Sequence, residues 1–369
     1  MKLVKLGKFN LPEYAAKKPV GIRGNGDLIY ATELLNESVA PSFGLLMASE
    51  ENKTKLAIER IKLEPDFDYG VLDNGGKYSK SDVLKHIQEQ TPLGMEFANI
   101  EVAYAEYFSN QLMGNEPVIE KSTSTKTAAK EEAIPKDWNL LPDKLSKLIK
   151  TRVLFCENTT NNVTKPCADY RIKNVHPEFV KRGFDVISLT DASDTRAFFQ
   201  AKATNALVVY IGGVGHGNYS RYTGDNFDPI LQVGSYNSTE VKDKVIHFLS
   251  CQTGKTLGPD TVTHGAKAYA GYYENFVFDW ANADLYWQCD SQFDISMANG
   301  KTVEQAVADT MAKYNAAIAS LPGTNTAATL LNDRNIFRTP VSGAAWGNKT
   351  AKISPNVSMI MSFAEFAAR

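Results

Sequence analysis

Two apolar runs of strand length, each ending on a residue that can do chemistry, constrain this chain more than any other feature. The first is Leu207-Val-Val-Tyr-Ile-Gly-Gly-Val-Gly-His216-Gly217, and the second is Val245-Ile-His-Phe-Leu-Ser-Cys251-Gln-Thr-Gly254. Short continuous apolar runs bounded by glycine and polar residues read as strands buried on both faces, as in a parallel sheet. Open α/β sheets carry their sites at the carboxyl ends of such strands. A thiol and an imidazole delivered to two strand ends are the parts of a cysteine nucleophile and its base.

The surrounding pattern supports that architecture. Arg152–Cys156, Phe184–Thr190, Ala206–Ile211, Val245–Ser250 and Ala268–Tyr273 read as strands. Between them lie a helix stopped by Gly183 and a helical stretch near Thr261–Lys267. Thr302 to Ile318 has the spacing of an amphipathic helix, with Asn299-Gly300 as the turn before it. Strands alternating with helices predict a mostly parallel sheet covered on both faces, over residues 138–321.

Residues 1–113 read as a mixed α+β unit. Ser79 or Ser81 caps a helix to about Gln90, and Thr91-Pro92 opens another to about Met113. Lys55–Glu64 and Phe67–Leu72 read as short strands, the second followed by the turn signal Asn74-Gly-Gly. Residues 114–137 have nothing to anchor in a core and read as a flexible linker, a plain tether or the place where a propeptide is cut. Residues 322–369, low in charge and mixed in signal, read as a C-terminal appendage.

Composition removes several function classes. With 43% hydrophobic and 22% charged residues the chain has an ordinary globular balance, and a net charge of −2 offers no field for nucleic acid or an anionic membrane. The first residues lack the apolar core of a secretory signal, and no window is apolar enough for a membrane span. Four cysteines, Cys156, Cys167, Cys251 and Cys289, are too scattered for a disulfide framework or a zinc site. A cytoplasmic protein with reduced thiols is expected, needing no cofactor. The turn Gly212–Gly217 is not followed by the helix that a dinucleotide site requires. Gly254-Lys-Thr256 lacks the earlier glycine of a P-loop, and no GxSxG elbow occurs.

A cysteine attacks as thiolate, so Cys251 needs a partner to bring its pKa down from about 8.5. His216 can take that proton and later give one to the leaving amine. Gly217, having no Cβ, can bring its N–H close to a substrate carbonyl, and with the Cys251 N–H can form an oxyanion hole.

Together, Tyr210-Ile-Gly-Gly-Val-Gly-His216-Gly217 and His247-Phe-Leu-Ser-Cys251 resemble the paired motifs of the caspase-like, clan CD, cysteine peptidases. The flanks are most similar to the gingipain and clostripain-like branches, through Ser250-Cys-Gln-Thr-Gly-Lys-Thr-Leu-Gly258 and Gly265-Ala-Lys-Ala-Tyr-Ala-Gly-Tyr272. The resemblance covers about residues 150–320. It implies a three-layer α/β/α sandwich, a nucleophile Cys251, a general acid/base His216, and an oxyanion hole of the Gly217 and Cys251 main chains. It implies a protein or peptide substrate, and for residues 1–113 a prodomain or a targeting module. Clostripain-like relatives carry an aspartate two residues before the cysteine, to bind a basic P1 side chain. Leu249 stands there, so the P1 preference does not carry over. Asp191, Asp194, Glu274 and Asp279, near sheet ends, are candidates to line that pocket.

The remaining reactive residues read as structural. Cys156 also ends a strand without a His-Gly partner, and His247 lies inside its own strand. His264 sits in a helical stretch, while His86 and His176 read as solvated or capping. The rival to a peptidase is a structural or assembly protein whose peptidase-like domain is inactive or acts once, on itself. Self-cleavage in the linker by a Lys/Arg-specific enzyme would use Lys121, Lys126, Lys130 or Lys136.

Overall fold

The structure is a computed structural model that describes residues 2–36, 41, 43, 49–73, 76–114 and 150–355. Apart from Gly114, the linker expected over 114–137 lies outside the described residues, its four lysines included.

The N-terminal part is mixed α+β. Strands β1 (Leu3–Leu6) and β2 (Phe9–Pro12) form one hairpin, and β3 (Pro19–Ile22) and β4 (Leu28–Tyr30) a second. A helix then runs from Glu50 to Leu63, and β5 (Asp68–Val71) and β6 (Gly76–Ser79) make a third hairpin. Ser79 caps the helix Lys80–Gln88 in a capping box with Asp82, and Thr91 caps Pro92–Leu112. The helix over 50–63 replaces the strand expected from Lys55 to Glu64. Its buried positions are Lys53, Leu56, Ala57, Arg60 and Ile61, a helical spacing in which two members are cations.

The second part holds a six-stranded sheet. Its strands are β7 (Arg152–Glu157), β8 (Asp185–Thr190), β9 (Val208–Val214), β13 (Val245–Leu249), β14 (Ala268–Tyr272) and β16 (Phe337–Arg338). The order is β16-β14-β13-β9-β7-β8, parallel throughout except for β16 at one edge. Between β9 and β13 the chain makes a small antiparallel sheet of β10 (Gly217–Asn218), β11 (Arg221–Thr223) and β12 (Pro229–Gln232).

Side-chain alternation divides the core. Val153, Phe155, Tyr210, Val214, Val245 and Leu249 face one layer, which includes the helices Ala283–Ala298, Val303–Ser320 and Asn325–Ile336. Leu154, Cys156, Ile211, Ile246, Phe248 and Tyr269 face the other, where Phe199 of helix Arg196–Ala203 and Leu257 of helix Leu257–Thr263 pack. This is the α/β/α sandwich with a mostly parallel sheet anticipated from the sequence. Part of the segment expected as an appendage is built into it, as the helix Asn325–Ile336 and the edge strand β16.

The two parts share one continuous core and one sheet. Strand β15 (Val277–Asp279), which follows β14, leaves the main sheet and pairs antiparallel with β5 of the N-terminal part. Buried ion pairs add to the junction. Lys18 binds Glu64 and the Gly323 carbonyl, and Glu64 accepts the Asn325 N–H at 2.6 Å; within the N-terminal part Arg60 meets Glu101 at 2.7 Å. Among the described residues no helix is long and apolar enough to cross a membrane.

Candidate active site

Strand register places the two motif residues just past the ends of adjacent parallel strands. In the parallel pair β9–β13, Val214 lies opposite Leu249, and both face the same layer. His216 and Cys251 each follow two residues later, on adjacent strands at the carboxyl edge. The loops stay in contact beyond the strands: the Gly215 N–H donates to the Leu249 carbonyl at 3.3 Å. Gly217 is packed so tightly that a Cβ there would sit 2.2 Å from Ser250 Oγ. Only glycine allows the His-Gly turn to lie this close to the Ser-Cys turn. Gln252, directly after the cysteine, has φ 58, a backbone strain of the kind that collects at functional turns.

His216 is held through its ring. Its Nδ1 lies 2.6 Å from the carbonyl of Leu72, which can only accept, so Nδ1 carries the proton and Nε2 is the basic nitrogen. Nε2 is buried and has no hydrogen-bond partner among the described residues. Phe227 stacks on the ring at 4.7 Å between centroids. Phe227 and Asn226 both have positive φ, so a strained turn presents that ring. Burial lowers the His216 pKa, and the Leu72 carbonyl and the Asp73 carboxylate only partly oppose it.

Cys251 is fully buried, and its Sγ accepts the N–H of Phe276 at 3.2 Å. Burial pushes the thiol well above its usual pKa; the Phe276 N–H works the other way, and the carboxylates of Asp73, Glu96 and Asp333 add to the rise. Burial thus disfavours the charged form of both the thiol and the imidazole. Sequence reasoning missed Leu72, Asp73, Phe227 and Phe276. Asn74-Gly-Gly in sequence marked a break after a short strand, but nothing in it said where that strand docks.

The four acids proposed for a substrate pocket do not gather. Glu274 is nearest the nucleophile turn: its carbonyl accepts the Gln252 N–H at 3.1 Å, and its carboxylate binds Lys255 at 2.6 Å. Asp191 is exposed and accepts from Thr159 Oγ1 at 2.6 Å. Asp194, beyond the end of β8, is buried with both oxygens unpartnered. Burial raises its pKa, and the carboxylates of Glu157, Asp225 and Asp228 raise it further. Asp279 instead caps the turn Trp280–Asn282, accepting from Ala281 N at 3.0 Å and Thr326 Oγ1 at 2.8 Å.

Beneath the site, on the same face of the sheet, lies a buried ionic cluster. His247 sits 3.2 Å from a carboxylate oxygen of Asp290 and of Asp294. Arg171 binds both of these and Glu157, while Tyr210 and Tyr272 donate to Asp294 and Asp290. His176, expected to be solvated or capping, is buried here, 3.1 Å from Glu157 and stacked on Phe155. Burial alone would lower the His247 pKa, but the Asp294 and Asp290 carboxylates outweigh it and push it up to about 9. His247, Asp290 and Asp294 are the described group with metal-ligand spacing. Arg171 and the imidazolium already neutralise these carboxylates, so the cluster does not fit a cation.

No family model matches the chain, and no curated protein does. Among solved structures, the chain is similar to the crystal structure of the Arg-specific cysteine proteinase gingipain R (RGPB), at 10% identity and a TM-score of 0.35, over 55% of this chain and 47% of that one. It is also similar to the complex of Porphyromonas gingivalis RgpB pro- and mature domains, at 11% identity and a TM-score of 0.33, over 50% and 46%. The chain spans less than half the length of either structure.

Proposed function

We propose that this chain is a cysteine endopeptidase with Cys251 as nucleophile and His216 as general acid/base. The observation that carries the reading is the register of β9 and β13, with Val214 opposite Leu249 and the reactive residues two positions beyond each. In the reaction, His216 Nε2 takes the thiol proton as Sγ attacks the scissile carbonyl. The Gly217 and Cys251 amides hold the resulting oxyanion. The imidazolium gives its proton to the departing amine, leaving a thioester on Cys251. Water, deprotonated by His216, attacks the thioester; the carboxylic acid leaves and the thiol is restored. Of the candidate pocket acids, Glu274 is the one adjoining the nucleophile turn.

A panel of peptide acyloxymethyl ketones bearing Arg, Lys, Asp or Asn at P1 tests the reading by mass spectrometry. A covalent adduct on Cys251, absent in Cys251→Ala, is the expected result, and the P1 residue that labels fastest defines the pocket. Failure of every probe would leave the rival reading, a structural or single-turnover domain. The burial of both reactive groups favours that rival. Intact masses of wild type and Cys251→Ala separate self-processing in the 114–137 linker from cleavage by another enzyme.

A further inference from the structure

A cavity of about 440 Å³ opens where the N-terminal part meets the first turn of the helix Asn325–Ile336. Ligand pockets of this size are mostly apolar, with a few convergent polar groups that fix orientation. Here Tyr14 and Phe67 supply aromatic wall. The polar groups are the buried ones: Glu64, Asp279, Asn325 and Thr326 line the cavity and are between 3% and 5% exposed. The place is set apart from the candidate nucleophile. Asp279 stands three residues on from Phe276, whose N–H meets Cys251, roughly 10 Å at strand spacing.

The lining carries charge of one sign. Glu64, Asp66 and Asp279 contribute carboxylates, and among the described residues no lysine or arginine lines the cavity. Glu64 is answered from beneath by Lys18 and by the Asn325 N–H. Asp279 is held by neutral donors, the Ala281 N–H, Asn282 Nδ2 and Thr326 Oγ1, which satisfy its oxygens without a counter-charge. Asp66 is exposed at the rim. One donor is left over: the side-chain amide nitrogen of Asn325 is buried with no hydrogen-bond partner among the described residues. A buried donor left unmade is costly, so a ligand that brings an acceptor to it gains a bond the free protein lacks.

We propose that this cavity binds the α-ammonium group of an amino-acid amide or of a peptide's amino terminus, with the adjoining carbonyl oxygen on Asn325 and an apolar side chain against Tyr14 and Phe67. A cation is what Asp66 and Asp279 lack, an acceptor is what Asn325 lacks, and an α-amino amide carries both in one short unit. Aromatic faces also favour a cation. A bare metal ion would leave the aromatic wall and the amide donor unused, and an anion would meet the carboxylates. The assignment stands whether or not Cys251 is a nucleophile.

Calorimetric titration of the full chain with phenylalanine amide tests the site. Saturable binding is expected, and N-acetylphenylalanine amide, which lacks the charge, should bind at least about tenfold more weakly. Phenylalanyl-glycyl-glycine amide separates the two sources: affinity equal to that of phenylalanine amide assigns a chain end, and lost affinity assigns a free small amine. Asn325→Leu keeps the backbone N–H that Glu64 uses and removes an orphaned group, so its thermal melt should not fall. It should nonetheless weaken phenylalanine amide at least about fivefold. Asp66→Asn, at an exposed position, should weaken it about two- to fivefold, and less in high salt. Absence of saturable binding by both amines, equal affinity for the acetylated amide, or wild-type affinity in Asn325→Leu overturns the proposal. Should Asn325→Leu melt early, unchanged affinity in Asp66→Asn overturns it instead.

Discussion

Two buried histidines on one face of the same sheet are driven in opposite directions. His216, at the carboxyl edge, meets a carbonyl and an aromatic ring, and burial keeps it neutral. His247, inside β13, meets two carboxylates that are themselves bound by Arg171, and it is held as a cation. Burial penalises charge in both places, so the partner decides the outcome. A proton acceptor for catalysis needs the first environment, whereas a structural counter-charge needs the second.

Exchanging the roles of the two residues is the strongest way to break this contrast. His216→Ala is expected to cut peptidase turnover by roughly 10²–10⁴-fold with little change in unfolding free energy. His247→Ala should do the reverse, because it leaves Asp290 and Asp294 undercompensated. A loss of about 3–5 kcal/mol in urea unfolding is expected, as for breaking other buried pairs. Equal effects of the two substitutions on stability would show that the sites do not differ as described.

The pH dependence sharpens the comparison. His247 has a folded pKa of about 9, above its unfolded value of roughly 6.5. Its stabilisation is complete below the unfolded value and is lost as pH rises through the folded one. Urea midpoints measured between pH 6 and 10 should therefore fall on the alkaline side in wild type, and the fall should be shallower in His247→Gln. The smallest expected effect belongs to Phe227→Ala. Losing one stacked ring costs about 0.5–1.5 kcal/mol, and the rehydrated His216 should titrate closer to its ordinary value in an NMR series.

What could be read from the chain depended on whether a contact leaves a mark in local pattern. The strands at 152–157, 208–214, 245–249 and 268–272 were legible because a strand buried on both faces is a continuous apolar run. The helices after Ser79 and Thr91 were legible through their caps, and the one after Thr302 through its amphipathic spacing. The helix over 50–63 was not, because Arg60 lies on its buried face. Its ion pair with Glu101 puts a charge where the helical period calls for an apolar residue, and the remaining apolar residues then look like a strand. His176 was misread for a related reason, since a buried polar residue in sequence looks like surface. Leu72 left no trace at all: it contributes a carbonyl, which every residue possesses.

The β5–β15 pairing also has a consequence in time. A chain is made from its amino end, so the hairpin at 68–79 has emerged well before β13 and Cys251 leave the ribosome. When β14 and β15 follow, the edge they create meets a strand already waiting for it. The nascent protein would then pass through no stage at which a folded thiol–imidazole pair stood uncovered among its neighbours.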